Sequence, residues 1–562
     1  MGSGRLVLAE SRLTNTITVL GRNIFDRPRT QYVMDSSKKQ FLTHAFIYGF
    51  GGLLNQFAPL ILFPLYTNYL PPGDYAILDI IDRSAWLINI IFVVSGIRLA
   101  TLTFYKQAKS EEEKRKVAVT LSFFLWGMVA TAILSTFFLA VPLDTFFKTD
   151  DPALLIFGLS TALVGSLVTI PMALMQARME SLRFVLTNAT MLTFRVGLCL
   201  FFLVWLELGI WGVLLSQCVV FVTSAVVLMI REIAIGSICP DFSKIKEVWT
   251  FCWPFIPAGL MDFFYGNADR YFILRFSTYP TDDATLEALG FYALAFRLQT
   301  FITLFGVSAL RQVWSAKMYE IFKQPDAARV FGDFALKINI VFSLGALALC
   351  VFAKDLITAI CHASYIEAAP LVIPLTVSAW FINFSYQLEQ TYYITRTTRY
   401  KPWVIAFMLP VMFVFMFFLV PRWNVLGVAY ALMCSSIVAF LINLAITQRV
   451  FRVDYHYFKT VLLFFVTASC FALSGLCGDG VVQNSLTPEQ MAEMSKWDRI
   501  AEMTERVCFL PLLGKSLILF LWAGGMWGLG FLTPDDKSVL RDAVHGGWQR
   551  VRKIPSRFSK RK

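Results

Sequence analysis

Apolar residues come in runs of about 20 along almost the whole chain, separated by short polar stretches. A run of that length, wound as an α-helix, crosses the ~30 Å hydrocarbon core of a bilayer. The pattern predicts fourteen spans, at 41–66, 76–105, 117–141, 152–176, 184–206, 210–231, 249–275, 287–316, 329–352, 366–394, 402–420, 425–448, 457–477 and 513–532. Several exceed ~20 residues and must tilt, kink or protrude.

The basic residues follow this count. Even-numbered spans lead into basic loops: Lys106, Lys109, Lys114, Arg115 and Lys116 after the second, and Arg396, Arg399 and Lys401 after the tenth. The stretch TNYLPPGDY after the first span has no Lys or Arg, and DTFFKTDDP after the third has one among three acids. Basic loops stay on the cytoplasmic side, so both termini are expected there and loop 478–512 outside. The expected localisation is a bacterial inner membrane.

Spans 2 and 8 begin GDYAIL at Gly73 and GFYALA at Gly290, 217 positions apart. Spans 6 and 12 begin LGIWGV at Leu208 and LGVAYA at Leu426, 218 apart. The shared offset predicts a duplicated six-helix unit. With an even number of spans in each copy, both insert the same way up, and two such repeats facing each other make a transporter cavity. The expected fold is therefore an all-α polytopic membrane protein with two six-helix lobes and a C-terminal helix pair. Its divisions are a cytoplasmic tail (1–40), an N-lobe (41–231), a linker (232–248), a C-lobe (249–450), spans 13 and 14 (451–532) and a basic tail (533–562).

Composition agrees. Hydrophobic residues make up 57% and charged residues 16% of the 562, against ~25% charged in a soluble chain. The formal charge of +12 fits the positive-inside bias. Nucleic acid is not an expected partner, because no polar domain carries a basic patch. The ten cysteines include no CxxC, and His44, His362, His456 and His545 form no ligand cluster. No metal site and no catalytic constellation is expected.

WPFIPAGLMDFFYGNADRYFI, followed by GFYALAFRL, resembles the seventh and eighth helices of the polysaccharide-biosynthesis flippases, the O-antigen-type exporters of lipid-linked oligosaccharides. YGFGGLLNQFAPLILFPLYTNYLPPGDYAILD resembles their opening, with Ala76 where that family usually has Gly. YIEAAPLVIPL and ITRTTRYKPWVIA fit as well, so the resemblance covers about 40–460. It implies the fold of the multidrug/oligosaccharidyl-lipid/polysaccharide exporter superfamily. The implied substrate is a lipid (polyprenyl) pyrophosphate-linked oligosaccharide, and polysaccharide polymerase machinery is a further expected partner.

Charge inside a bilayer is costly and marks a pathway or a partner. Arg83, Arg98, Arg195, Arg270, Arg297 and Arg311 stand within or at the rims of predicted spans. The functional reading is a cationic cavity whose guanidinium forks meet phosphate oxygens. The alternatives are ion pairs, of Arg270 with a carboxylate on another helix or of Arg83 with Asp79 one turn away, and snorkelling at the rims for Arg98 and Arg311. Asp82, Asp262, Asp269 and Glu389 are expected either to pair with these arginines or to serve a coupling ion, Na+ or H+; no other cofactor is expected. Pro59 and Pro64 in span 1, with Pro254 and Pro257 in the equivalent span 7, are expected helix hinges. The leading expectation is a flippase working by alternating access. A lipid II-type or other glycolipid flippase and a drug or cation antiporter of the same fold are the rivals, with a membrane glycan polymerase or ligase more remote.

Overall fold

The computed structural model describes residues 61–92, 96–149, 151–235, 240–302, 314, 318–478, 509–529 and 531. The expectations for the N-terminal tail, Pro59, Arg311, most of loop 478–512 and the basic C-terminal tail lie outside the described residues. The chain divides into two compact units, Phe50–Leu519 and a smaller one made of Met1–Gly49 with Phe520–Lys562. Everything below concerns the first unit.

The described residues contain helices and no strand. In order they are α1 (described over 61–69), α2 (Pro72–Phe92), α3 (Ile97–Gln107), α4 (Glu111–Phe147), α5 (Pro152–Gly165), α6 (Thr169–Ala177), α7 (Ser181–Cys199), α8 (Gly209–Ile235), α9 (Ile245–Cys252), α10 (Phe255–Phe276), α11 (Asp282–Ile302), α12 (Ala327–Ile360), α13 (Ala369–Ile394), α14 (Tyr400–Val450), α15 (Tyr457–Ser474) and α16 (Phe509–Gly528). Nine of the described helical segments are individually long and apolar enough to cross a membrane, and the α2–α3 pair, bent by 43°, makes up to ten. The protein is a multi-pass membrane protein.

Local chemistry explains where these helices depart from the apolar runs. α4 starts six residues before its expected span because Ser110 caps it, accepting from the Glu113 amide, while Glu113 Oε2 accepts from the Lys109 amide. Three acids follow in the first turn, where the helix dipole favours them. The expected seventh span is two helices. Pro254 stands at the break, between the end of α9 at Cys252 and the start of α10 at Phe255. Pro257 lies in the first turn of α10, where a missing N–H costs nothing, so only Pro254 interrupts the helix.

α14 is written as one 51-residue helix, yet Asn424 has φ 50°, ψ −129°, and there the chain folds back. A Cβ at Gly427 would lie 2.2 Å from the Leu419 carbonyl oxygen; in a straight helix, positions eight apart are ~12 Å distant. Expected spans 11 and 12 are thus the two arms of a hairpin. Asn424 Oδ1 accepts from both the amide (2.7 Å) and the hydroxyl (2.9 Å) of Thr278. The N-lobe turn at the matching place carries positive φ at Glu207 (53°) and Gly209 (55°), beside the Leu-Gly sequence that suggested the repeat.

The other repeat signature marks where the two halves meet. A Cβ at Gly290 would come within 2.0 Å of the Pro72 carbonyl oxygen, so α2 and α11 cross backbone to backbone. Gly290 is the repeat equivalent of Gly73, which makes this a contact between equivalent positions. Small residues at such crossings give membrane helices the close approach that the bilayer itself does not drive. The largest apolar core continues through the crossing, with Tyr75, Ile80 and Ile81 of α2 and Leu289, Tyr292 and Leu298 of α11 all buried.

Candidate functional site

A stripe runs down one face of α2: Tyr75, Asp79, Asp82, Trp86 and Asn89. The spacing of three and four puts all five on one side of the helix. All five line a cavity of about 290 Å³, together with Tyr66 of α1, Arg195 of α7, Gln217 and Phe221 of α8, and Arg297 of α11. Asp82 lies ten residues into α2, about 15 Å along its axis, near the middle of a bilayer. Arg297 comes from the second half of the chain and every other residue named from the first.

Neither Arg195 nor Arg297 closes an ion pair among the described residues, and nor does Asp82, which is exposed to the cavity. Arg195 lies over the Phe221 ring at 5.8 Å and Arg297 over the Tyr75 ring at 5.9 Å. Arg195 Nε and the Tyr75 hydroxyl are buried with no hydrogen-bond partner among the described residues, and the Tyr66 hydroxyl lies beside the Arg195 guanidinium. The helix carrying Arg195 continues directly into a π-helical segment, Leu200–Trp205, a distortion that recurs at functional sites.

Sharing Asp79 with the cavity wall is a second charged cluster, largely buried. Asp79 Oδ2 accepts from Arg270 Nε at 3.1 Å, and its Oδ1 accepts from Arg83 at 3.4 Å. Arg83 Nη1 also donates to Asn267 Oδ1 at 3.0 Å. Arg270 Nη1 donates to Asp269 Oδ2 at 2.6 Å, and Asp269 accepts a further hydrogen bond from the Tyr292 hydroxyl. Arg270 is 1% exposed, with the Phe296 ring 4.2 Å from its guanidinium carbon. This cluster ties α2 to α10 and α11.

A family model described as polysaccharide biosynthesis protein matches residues 41–315. The match covers just under half of the chain. That stretch contains every side chain of the cavity and of the buried cluster. No curated protein matches the chain. Among solved structures, the chain is similar to the lipid II flippase MurJ in an inward closed conformation, at 12% identity over 86% of this chain and 98% of that one, with a TM-score of 0.59. It is also similar to an inward-facing multidrug resistance MATE family transporter of the MOP superfamily, at 13% identity over 74% of this chain and 99% of that one, with a TM-score of 0.54. At such identities the likeness is one of fold.

The expected arginines fall into different environments. Arg195 and Arg297 line the cavity. Arg270, expected there, is instead buried in ion pairs, and Arg83 makes the pair with Asp79 that its one-turn spacing allows. Arg98 is exposed and donates to Gln176 at 2.9 Å, as a rim residue would. The lining is also less one-sided than a cationic cavity: Asp79 and Asp82 stand beside Arg195 and Arg297. Counting the second cluster, four arginines face three aspartates.

Among the other expected carboxylates, Asp269 is paired, Glu389 meets Lys401 at 3.4 Å, and Asp262 is exposed on α10 away from the cavity lining. Pro64 lies inside α1, where Asn68 Nδ2 donates to its carbonyl at 2.7 Å. Trp86, Asn89 and Gln217 were not anticipated as cavity residues. Nor was the buried pair of Lys515 in α16 with Asp355 in α12, 2.6 Å apart. The α2 stripe carries a signal that could have found the first two, since its polar and aromatic positions recur at helical spacing. Gln217 and Lys515 stand out as polar residues inside apolar runs. Among the described residues no group of His, Cys, Asp or Glu is arranged to hold a metal ion.

Proposed function

We propose that the protein is a flippase that carries a polyprenyl pyrophosphate-linked oligosaccharide from the cytoplasmic to the outer leaflet of a bacterial inner membrane by alternating access. One observation carries this reading. Arg195 and Arg297, one from each half of the chain, share a cavity at mid-membrane depth and neither is ion-paired. A guanidinium there gains most from an anionic ligand that satisfies its fork, and a pyrophosphate offers matching oxygens. Opening between the lobes would separate the two arginines, so binding and conformational change involve the same groups.

The basic-loop pattern assigns the α1–α2 turn and the start of α11 to the outer side. On that assignment the outer end is shut. Asn68 Nδ2 donates to the Ile360 carbonyl at 2.6 Å, the Tyr365 hydroxyl to the Leu70 carbonyl at 3.1 Å, and Lys148 pairs with Asp282 at 2.7 Å. Outward release requires these contacts to part. Asp82, inside the cavity and free of an ion pair, is where a coupling H+ or Na+ would act: neutralising it leaves both cavity arginines to the phosphates. Polymerase machinery on the outer side is the expected recipient.

The carboxylates in the cavity favour one second reading, a cation exporter of the same fold. Removing the gene and identifying accumulated lipids by mass spectrometry separates the two. A flippase leaves one lipid-linked saccharide trapped on the cytoplasmic side, and Arg297→Ala fails to clear it. An unchanged lipid profile with lowered resistance to cationic compounds would replace the flippase with the exporter.

A further inference from the structure

The cavity is not uniform. Its arginines hold one part, and a different chemistry continues along the α2 stripe beyond Asp82. Trp86 is one turn further and Asn89 about two. Trp86 is 45% exposed although it lies on a packed helix. Its ring meets Phe263 of α10 at 5.5 Å and 76°, an edge contact that leaves indole surface open to the cavity. Asn89 Oδ1 accepts from the Ser166 hydroxyl at 2.7 Å, which orients the amide and leaves its NH2 to donate. Gln217 faces them from α8. It is 5% exposed, lines the cavity and makes no hydrogen bond among the described residues.

A buried primary amide carries two donors and two acceptor sites, and leaving them unmade costs free energy. Phosphate does not suit this set, because an amide oxygen repels an anion and an indole face offers it nothing. A sugar ring suits all three groups. Its hydroxyls both donate and accept, as the amides do, and its C–H face packs against an aromatic ring. The cavity volume of about 290 Å³ is at the low end of the ~300–1,000 Å³ typical of small-ligand pockets, which is room for one sugar and its phosphate and not for an oligosaccharide.

We propose that Trp86, Asn89 and Gln217 form a subsite for the sugar ring joined to the phosphate, and that Gln217 and Trp86 set the preference for that sugar. The proposal rests on the flippase reading above and deepens it. The arginines hold the phosphate, the amides and indole hold the first sugar, and the remaining glycan lies outside this cavity.

The test uses the full-length protein in proteoliposomes with two probes, a polyprenyl pyrophosphate carrying one hexose and the same lipid pyrophosphate without sugar. The parent is expected to show a lower apparent KM for the sugar-bearing probe. Gln217→Leu and Trp86→Leu should each reduce that preference about tenfold, the loss of roughly 1.4 kcal/mol of hydrogen bonding or packing. Trp86→Phe should keep most of it. A parent that transports both probes with equal KM, or leucine variants that keep the parent's preference, would overturn the subsite. Should Gln217→Leu fail to fold, the two Trp86 variants decide the matter, since an exposed ring tolerates replacement. A parent that moves neither probe would remove the flippase reading itself, a different result from transport without preference.

Discussion

Arg270 and Arg297 are both arginines at membrane depth, on consecutive helices of the same lobe, and the structure treats them in opposite ways. Arg270 is 1% exposed, with Asp79 on one side, Asp269 on the other and an aromatic ring against its face. Arg297 borders a cavity and closes no ion pair among the described residues. Sequence alone gives the two the same reading. Burial cost explains the division: a charge away from water has to be matched by partners. Where the protein supplies them, the arginine is part of the scaffold. Where it leaves the fork open to a cavity, the proposed function gives the match to a ligand.

The comparison breaks most readily at Arg270. Arg270→Ala leaves Asp79 and Asp269 buried without their shared cation, a loss of about 3–5 kcal/mol. The expected outcome is a sharp fall in folded protein in the membrane, measured by detergent-extracted, monodisperse yield. Normal abundance with lost export would move Arg270 from the scaffold to the transport path. Next in size is Arg297→Ala, which should abolish most export while abundance stays near the parent's, because no ion pair is lost. If Arg297→Ala vanishes from the membrane as Arg270→Ala is expected to, the division between the two regions fails.

Much of this architecture was legible before any coordinates. Apolar runs marked the long helices, and the GDYAIL/GFYALA pair lies at a close helix crossing, with Gly290 against Pro72. Helix breaks were harder to read. Hydropathy does not register a change of direction: Pro254, named as a hinge for its missing N–H, stands at one break, whereas the early start at Ser110 comes from capping. The site was legible only in part. Arg195 and Arg297 were recognised as candidates because buried charge is rare, but whether a charge is paired depends on neighbours nearly two hundred positions away, as with Asp79 and Arg270. Gln217 and Trp86 were missed because uncharged residues stand out less in a membrane helix.

The smallest expected effect sharpens the conformational side of the comparison. Lys148 and Asp282 bridge the two halves, with side chains 28% and 61% exposed, so the pair contributes about 0–1 kcal/mol. Lys148→Ala should raise the accessibility of a cysteine probe at Asn68 to an outside reagent by a few-fold at most. A much larger increase would make this surface pair, rather than the buried cluster and the helix crossing, the main closure of that end.

The central claim is that the unpaired cavity arginines act as forks on phosphate, and Arg195→Lys tests it most directly. Lysine keeps the charge and loses the planar pair of donors, and Arg195 borders the cavity and closes no ion pair among the described residues, so the change removes no salt bridge of the scaffold. The measurement is the initial rate of flipping of a polyprenyl pyrophosphate-linked hexose in proteoliposomes, alongside thermal stability of the same preparation. The account predicts a flipping rate well below the parent's with unaltered stability. A rate equal to the parent's would mean that positive charge alone suffices, and would contradict it.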